Sequence, residues 1–187
     1  HLEAAAGELR GSAVLLGGQD CHPERSGAFT GSVSAAMLRE AGCGAVLCGH
    51  SERRRGLGED AALVGRKVRV ALGAGLVPFL CVGETKEERA AGRTEEVVAG
   101  QLGAGLEGVA PCDRARIVVA YEPVWAIGTG KTATPRTAQD VHHFARNLVA
   151  RMFGEATSKN VRVLYGGSVK PDNIRDLMAE EAIDGAL

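Results

Sequence analysis

The feature that most constrains the fold of this chain is a series of five short, mainly apolar segments. They cover residues 13–16, 45–48, 77–82, 117–121 and 161–165. None alternates apolar with polar residues, which is typical of strands buried on both faces of a parallel sheet. The intervals between them carry helical patterns, so strand and helix alternate as in βα units, and we predict an α/β fold.

The clearest helix is predicted over residues 135–153. Thr134 stands at its N-cap, Pro135 in its first turn and Gly154 just past its end. Its apolar residues form one stripe at helical spacing: Val141, Phe144, Ala145, Leu148, Val149 and Met152.

Weaker patterns complete this organisation. Further helices are predicted around residues 64–72 and from Pro171 to Met178, residues 1–11 resemble a helix before the first strand, and residues 183–187 resemble the beginning of a final strand. No low-complexity linker divides the chain, so we predict a single domain over residues 1–187.

Composition disfavours several functional classes. The formal net charge of −1 argues against nucleic acid or a membrane surface as the main partner, and no apolar run approaches the ~20 residues that span a bilayer. The chain has five cysteines and no CxxC pair, which favours free thiols in a reducing cytoplasm over a disulfide framework.

Residues that could take part in catalysis or binding follow four of the predicted strands. Since function collects at the carboxyl ends of parallel strands, these positions form the candidate site. They are Gly49-His50-Ser51-Glu52-Arg53-Arg54, Gly83-Glu84, Glu122 and Gly166-Gly167-Ser168.

Glu122 is a lone carboxylate at a strand end, and the loop after it has stiff ends and glycines in its tip. This pattern indicates a catalytic base followed by a movable lid. The predicted lid consists of Pro123, Val124, Trp125, Ala126, Ile127, Gly128, Thr129, Gly130 and Lys131.

Two other strand ends allow a functional and a plain structural interpretation. His50 precedes a probable helical turn, whose N-terminus disfavours an extra positive charge. It is therefore either a neutral hydrogen-bond donor to a substrate carbonyl or a structural histidine. Gly166 and Gly167 with Ser168 form either a phosphate cradle or a tight βα turn.

Three other chemistries are disfavoured. Residues 128–132 suggest a P-loop, but that pattern needs glycine where Trp125 stands. No cluster has metal-ligand spacing, so no metal is expected. The absence of a Gly-x-Ser-x-Gly elbow weakens a serine hydrolase.

Four motifs, in order and spacing, closely resemble the triosephosphate isomerase family. The resemblance runs from about residue 17 to residue 187. The motifs are CHPERSGAFTG (21–31), GHSERR (49–54), AYEPVWAIGTGK (120–131) and YGGSV (165–169).

The resemblance implies a (β/α)8 TIM barrel that interconverts dihydroxyacetone phosphate and D-glyceraldehyde 3-phosphate in glycolysis and gluconeogenesis, without metal or cofactor. Glu122 would be the base and His50 the neutral electrophile. Gly128, Gly167 and Ser168 would bind the substrate phosphate. Two further residues would support the site, Glu52 in the charge network beside His50 and Cys81 by packing near the base.

Departures from the family pattern raise one alternative. The barrel looks incomplete, with about five full βα units and the start of a final strand. The 187-residue chain is therefore expected to be inactive alone, and the alternative function is a catalytically silent fragment. Another phosphate-binding barrel enzyme is disfavoured by the lid sequence. The family's intersubunit loop at residues 21–31 implies a homodimer, but Ser32 replaces the usual glutamate, leaving the carboxylate partner of Arg53 in doubt.

Overall fold

The computed structural model describes residues 1–127 and 132–187, and a parallel sheet organises them. Its six strands within these residues follow one another in chain order, and each pairs in parallel with the next. They are β1 (Gly17–Gly18), β2 (Ala45–Cys48), β3 (Val77–Val82), β4 (Val118–Tyr121), β5 (Arg162–Tyr165) and β6 (Gly185–Ala186).

Helices connect these strands. Those of the described residues are α1 (Leu2–Glu8), α2 (Ala35–Glu40), α3 (Ser51–Gly56), α4 (Ala61–Gly73), α5 (Lys86–Ala90), α6 (Thr94–Leu106), α7 (Pro135–Phe153), α8 (Glu155–Ser158) and α9 (Ile174–Met178), with a 3-10 helix at Pro111–Arg116. Parallel neighbours in chain order, joined by helices, confirm the predicted α/β fold in the form of an incomplete TIM barrel.

The centre of the sheet matches the sequence prediction because its strands are buried. All four residues of β4 are buried, as are Leu80, Cys81 and Val82 of β3. A strand covered on both faces gives a continuous apolar run, which is the signal that located it. None of the described helices is long and apolar enough to cross a membrane.

The prediction of a strand at residues 13–16 is wrong. β1 begins only at Gly17, and Val14 and Leu15 are 64% and 59% exposed. The register explains the difference: Gly17 lies opposite Ala45, the first residue of β2, so the preceding residues run beyond the beginning of their partner strand. An apolar run therefore did not suffice to form a strand here.

Helix α7 occupies the predicted residues, because both of its ends carry specific signals. The Thr134 hydroxyl accepts a hydrogen bond from the backbone N–H of Thr137, and Gly154 ends the helix with a φ of 90°. Helix α9, in contrast, begins at Ile174 and not at Pro171. The Asn173 side chain holds the preceding residues in a turn, accepting from Lys170 N–H and donating to the Ser168 carbonyl.

Candidate active site

The fold brings His50 and Glu122 together. His50 follows β2 and Glu122 follows β4, and both strands flank β3. His50 Nε2 lies 3.1 Å from Glu122 Oε1. Two groups predicted independently from strand ends therefore form one pair at the carboxyl edge of the sheet.

The hydrogen bonds of His50 indicate a neutral imidazole. His50 is the N-cap of α3, and its Nδ1 accepts a hydrogen bond from the backbone N–H of Glu52 at 3.3 Å. Its Nε2 faces a carboxylate oxygen and so acts as the donor. A ring that accepts at one nitrogen and donates at the other carries a single proton, as an electrophile for a carbonyl oxygen requires.

Glu122 is 3% exposed, and its carboxylate is held in place on both oxygens. Oε1 contacts His50, and Oε2 accepts from the backbone N–H of Ser51 at 2.8 Å. Burial raises the pKa of Glu122, and the contacts with His50 and Ser51 offset part of that rise. The group is thus a stronger base than an exposed glutamate.

The backbone of Glu122 packs against Gly83, at the end of β3. A Cβ at Gly83 would stand 1.7 Å from the Glu122 carbonyl oxygen, so a side chain has no room there. The amide of Gln101 fixes Gly83 from behind, accepting from its N–H at 2.7 Å and donating to its carbonyl at 3.2 Å. This contact of Gln101 with Gly83 was not predicted, because no sequence pattern distinguishes Gln101 from any other polar residue on a helix.

A buried carboxylate anchors the described beginning of the predicted lid. Glu84 is 0% exposed and accepts hydrogen bonds from the Tyr121 hydroxyl, from Trp125 Nε1 at 2.9 Å and from Arg89 Nη1 at 3.1 Å. The Arg89 guanidinium also lies over the Trp125 ring, 4.4 Å from its centroid. Glu84 was noted only as a strand-end residue, so its anchoring role was missed.

Within the lid, residues 123–127 form a turn in which Ala126 N–H donates to the Pro123 carbonyl at 2.8 Å. Val124 and Ala126 are buried. The predicted lid residues Gly128, Thr129, Gly130 and Lys131 lie outside the described residues.

The Gly166–Ser168 loop adjoins Glu122. Gly166 N–H donates to the Tyr121 carbonyl at 2.7 Å, so it is not available to a phosphate in this structure. In the described part of the chain, the N–H groups of Gly167 and Ser168 have no protein acceptor. Gly167 also needs to be glycine, since its Cβ would stand 2.3 Å from the Tyr165 hydroxyl.

A cavity of about 420 Å³ opens beside His50. Its lining includes Gln19, Asp20 and Glu52. Glu52 contacts His50 through its backbone, and its carboxylate is exposed. A larger cavity of about 620 Å³ lies between residues 20–33 and helix α4 and includes neither His50 nor Glu122.

The doubt about a carboxylate partner for Arg53 is removed. Its guanidinium lies 2.9 Å from Asp20 Oδ2 and 2.7 Å from Glu59 Oε1. Lys67, which is 2% exposed, bonds the same two carboxylates at 2.6 Å. Asp20 and Glu59 therefore pair with both Arg53 and Lys67, and Arg53 has carboxylate partners although residue 32 is serine.

Cys81, predicted to pack near the base, is fully buried with its thiol facing Glu122. All five cysteines are free thiols. Among the described residues, no group of three or more His, Cys, Asp or Glu side chains could hold a metal ion.

Comparisons with known proteins identify the family of the chain. The family model described as triosephosphate isomerase matches residues 1–187. A triosephosphate isomerase of Roseiflexus castenholzii is 55% identical over 96% of this chain and 70% of its own length. Those of Pelobacter propionicus and Symbiobacterium thermophilum are both 54% identical over the whole chain, and over 74% and 73% of their own lengths. The chain therefore belongs to the triosephosphate isomerase family.

Proposed function

We propose that Glu122 and His50 carry out the isomerisation of dihydroxyacetone phosphate and D-glyceraldehyde 3-phosphate in this protein. Family membership makes the chain a triose-phosphate isomerase. The observation that supports the two roles is the contact of 3.1 Å between a buried carboxylate and a singly protonated imidazole. Such a base and neutral electrophile are the pairing for which this family is the standard example.

The reaction requires one carbon-bound proton to change places. Glu122 takes a proton from C1 of dihydroxyacetone phosphate, and the electron pair of that bond moves into an enediolate. Nε2–H of His50 donates to the carbonyl oxygen on which negative charge develops, and the imidazole passes a proton between the two oxygens. Glu122 then returns its proton to C2, so no cofactor is consumed.

For this step, the resting contacts of Glu122 have to change. Both oxygens are occupied, by His50 and by Ser51 N–H. A carboxylate that accepts a proton from carbon needs one oxygen free and aimed at that carbon. We therefore propose that the Glu122 side chain leaves Ser51 when substrate binds.

The phosphate group is proposed to lie at the next strand end. The N–H groups of Gly167 and Ser168 have no acceptor in the described residues, and their loop bonds to the strand that precedes Glu122. Gly128 is proposed as a further donor from the lid. Glu52 and Cys81 are proposed to support the catalytic pair from either side.

The remaining proposals concern the setting of the enzyme. A homodimer is proposed from the loop at residues 21–31, where His22 forms an isolated bridge with Ser34 at the base of the loop. Five free thiols are compatible with a reducing compartment, and we propose a cytoplasmic location.

The test of the base is Glu122→Gln in the protein expressed from its complete reading frame, with isomerisation of D-glyceraldehyde 3-phosphate as the measurement. We expect kcat to fall by at least about 1,000-fold, because the amide keeps the shape but cannot accept the proton. Glu95→Gln, an exposed change on α6, is the control and should keep full activity. Turnover near that of the control in Glu122→Gln would exclude Glu122 as the base.

A further inference from the structure

Arg54 joins the end of β2, which His50 follows, to β3, the neighbour of the strand that Glu122 follows. It lies on α3, and its guanidinium donates from Nε to the Gly49 carbonyl at 2.8 Å and from Nη2 to the Cys81 carbonyl at 2.9 Å. Gly49 directly precedes His50, and Cys81 lies opposite Ala120 in the strand that leads to Glu122. One rigid group therefore spans the gap between the segment of the electrophile and the strand behind the base.

We infer that Arg54 is a positioning residue that fixes the distance between His50 and Glu122. This inference rests on the proposed roles of those two residues. Arg54 is placed behind them and away from the cavity beside His50, whose lining does not include it.

On the His50 side, Arg54 acts at the peptide that precedes the imidazole. Gly49 adopts a φ of 77°, in the left-handed region, where the chain turns sharply from β2 into α3. A turn of this kind directs the following side chain, so a rotation at Gly49 would move the imidazole. The hydrogen bond from Arg54 Nε to the Gly49 carbonyl holds this peptide in one orientation.

On the Glu122 side, Arg54 acts through both packing and charge. It borders a small cavity of about 100 Å³ together with Ser51, Gly83, Gln101 and Glu122. The guanidinium lowers the pKa of the Glu122 carboxyl, against the larger effect of burial. Among the described residues, the titratable and charged groups that face Glu122 are His50, Arg54 and Cys81, and Arg54 is the permanent cation of these three.

A lysine could supply the charge but not the bridge. The guanidinium holds its donors in a planar fork, and here two of them point to two different carbonyls. An ammonium group is a point charge on a flexible stem and would not fix both carbonyls at once. The two contributions of Arg54 can therefore be separated by substitution.

The experiment compares Arg54→Lys, Arg54→Met and, as the control, Arg151→Met, which changes an exposed arginine on α7 that does not border the cavity beside Glu122. All are made in the protein expressed from its complete reading frame. The measurements are kcat, KM and the pH dependence of kcat/KM, whose acid limb reports the base in the free enzyme. Melting temperature is recorded separately.

We expect both Arg54 variants to lower kcat by about 100-fold with little change in KM, the effect of misplacing a catalytic group by about 1 Å. The acid limb should move to higher pH in Arg54→Met, which loses the cation, and stay in place in Arg54→Lys. Arg151→Met should change none of these values.

A lower melting temperature with unchanged kcat and acid limb would show a merely structural role and overturn the inference. Full activity in Arg54→Lys would also overturn it, because the bridge would then be dispensable, and this variant decides the matter if Arg54→Met does not fold. The Glu122→Gln variant distinguishes a failure of the proposed function from a failure of the positioning role alone. If that variant is active, the proposed base is wrong. If it is inactive while the Arg54 variants turn over normally, only the positioning role fails.

Discussion

The buried histidine of α7 should make the stability of the protein depend on pH. His142 is 0% exposed, its Nδ1–H donates to the Ala182 carbonyl at 3.2 Å, and its Nε2 has no partner among the described residues. Its ring meets Tyr121 edge-on, with centroids 5.9 Å apart. Burial lowers the pKa of His142 from 6.5 to about 4, although the Ala182 carbonyl and Asp184 favour the charged form and Arg146 opposes it.

The sign and size of the effect follow from these two values. The folded state resists protonation of His142, so the unfolded state binds more protons as pH falls from about 6.5 to about 4. The free energy of unfolding therefore decreases over that window and levels off below it. A shift of about 2.5 units at 1.36 kcal/mol per unit amounts to roughly 3 kcal/mol in total, and about 2 kcal/mol of it is lost by pH 5.

The assay is urea unfolding at several pH values between 7.5 and 4.5, followed by circular dichroism. His142→Asn keeps a donor for the Ala182 carbonyl but does not titrate, so its stability should fall less steeply with acid than that of the wild type. The difference between the two slopes isolates His142, because the carboxylates are common to both proteins. His143→Asn changes the exposed neighbour and should keep the wild-type slope. Equal slopes in the wild type and His142→Asn would refute the reasoning.

Two further predictions concern close packing and thiol access. Gly83→Ala should lower kcat by about 100-fold, because its Cβ at 1.7 Å from the Glu122 carbonyl oxygen forces the base to move, whereas Gly100→Ala, with nothing within 4 Å, should leave turnover unchanged. Wild-type kcat in Gly83→Ala would show that the backbone of Glu122 tolerates displacement. A thiol reagent should modify Cys112 alone in the native protein, since the other four cysteines are buried, and all five after unfolding. Rapid modification of a second native thiol would contradict this burial.

Helices and strands were predicted correctly from the sequence where the local pattern of residues and the position of the element in the fold favour the same structure. Helix α7 was located at both ends because Thr134 and Gly154 carry capping signals, and β4 because it is buried on both faces. The strand predicted at residues 13–16 failed for the opposite reason. Its residues are apolar, but strand formation there depends on the partner strand, whose beginning no local pattern in residues 13–16 indicates.

The site was predictable in its residues but not in its contacts. His50 and Glu122 both follow strands. Because the carboxyl ends of parallel strands meet at one edge of the sheet, both residues become candidates for the same site. The approach of Ser51 N–H to Glu122, 71 residues away, depends on how far α3 tilts over the sheet. Arg54 and Gln101 act through side chains that reach backbone groups of other elements, and neither residue type nor spacing indicates such contacts.

The resting contacts of Glu122 have a consequence for its proposed role as the base. The Ser51 N–H and His50 stabilise the ionised carboxylate and so oppose the effect of burial on its pKa. If the side chain leaves Ser51 to reach the substrate carbon, it loses one of these stabilising donors while remaining buried. Its affinity for a proton should then increase at the moment when a proton has to be taken from carbon. The loss of the hydrogen bond from Ser51 N–H, which lowers the pKa of Glu122 at rest, would thus be part of the proposed activation of this carboxylate. Arg54, which bonds to the backbone of Gly49 and of Cys81, would keep the surrounding frame fixed while only the Glu122 side chain moves.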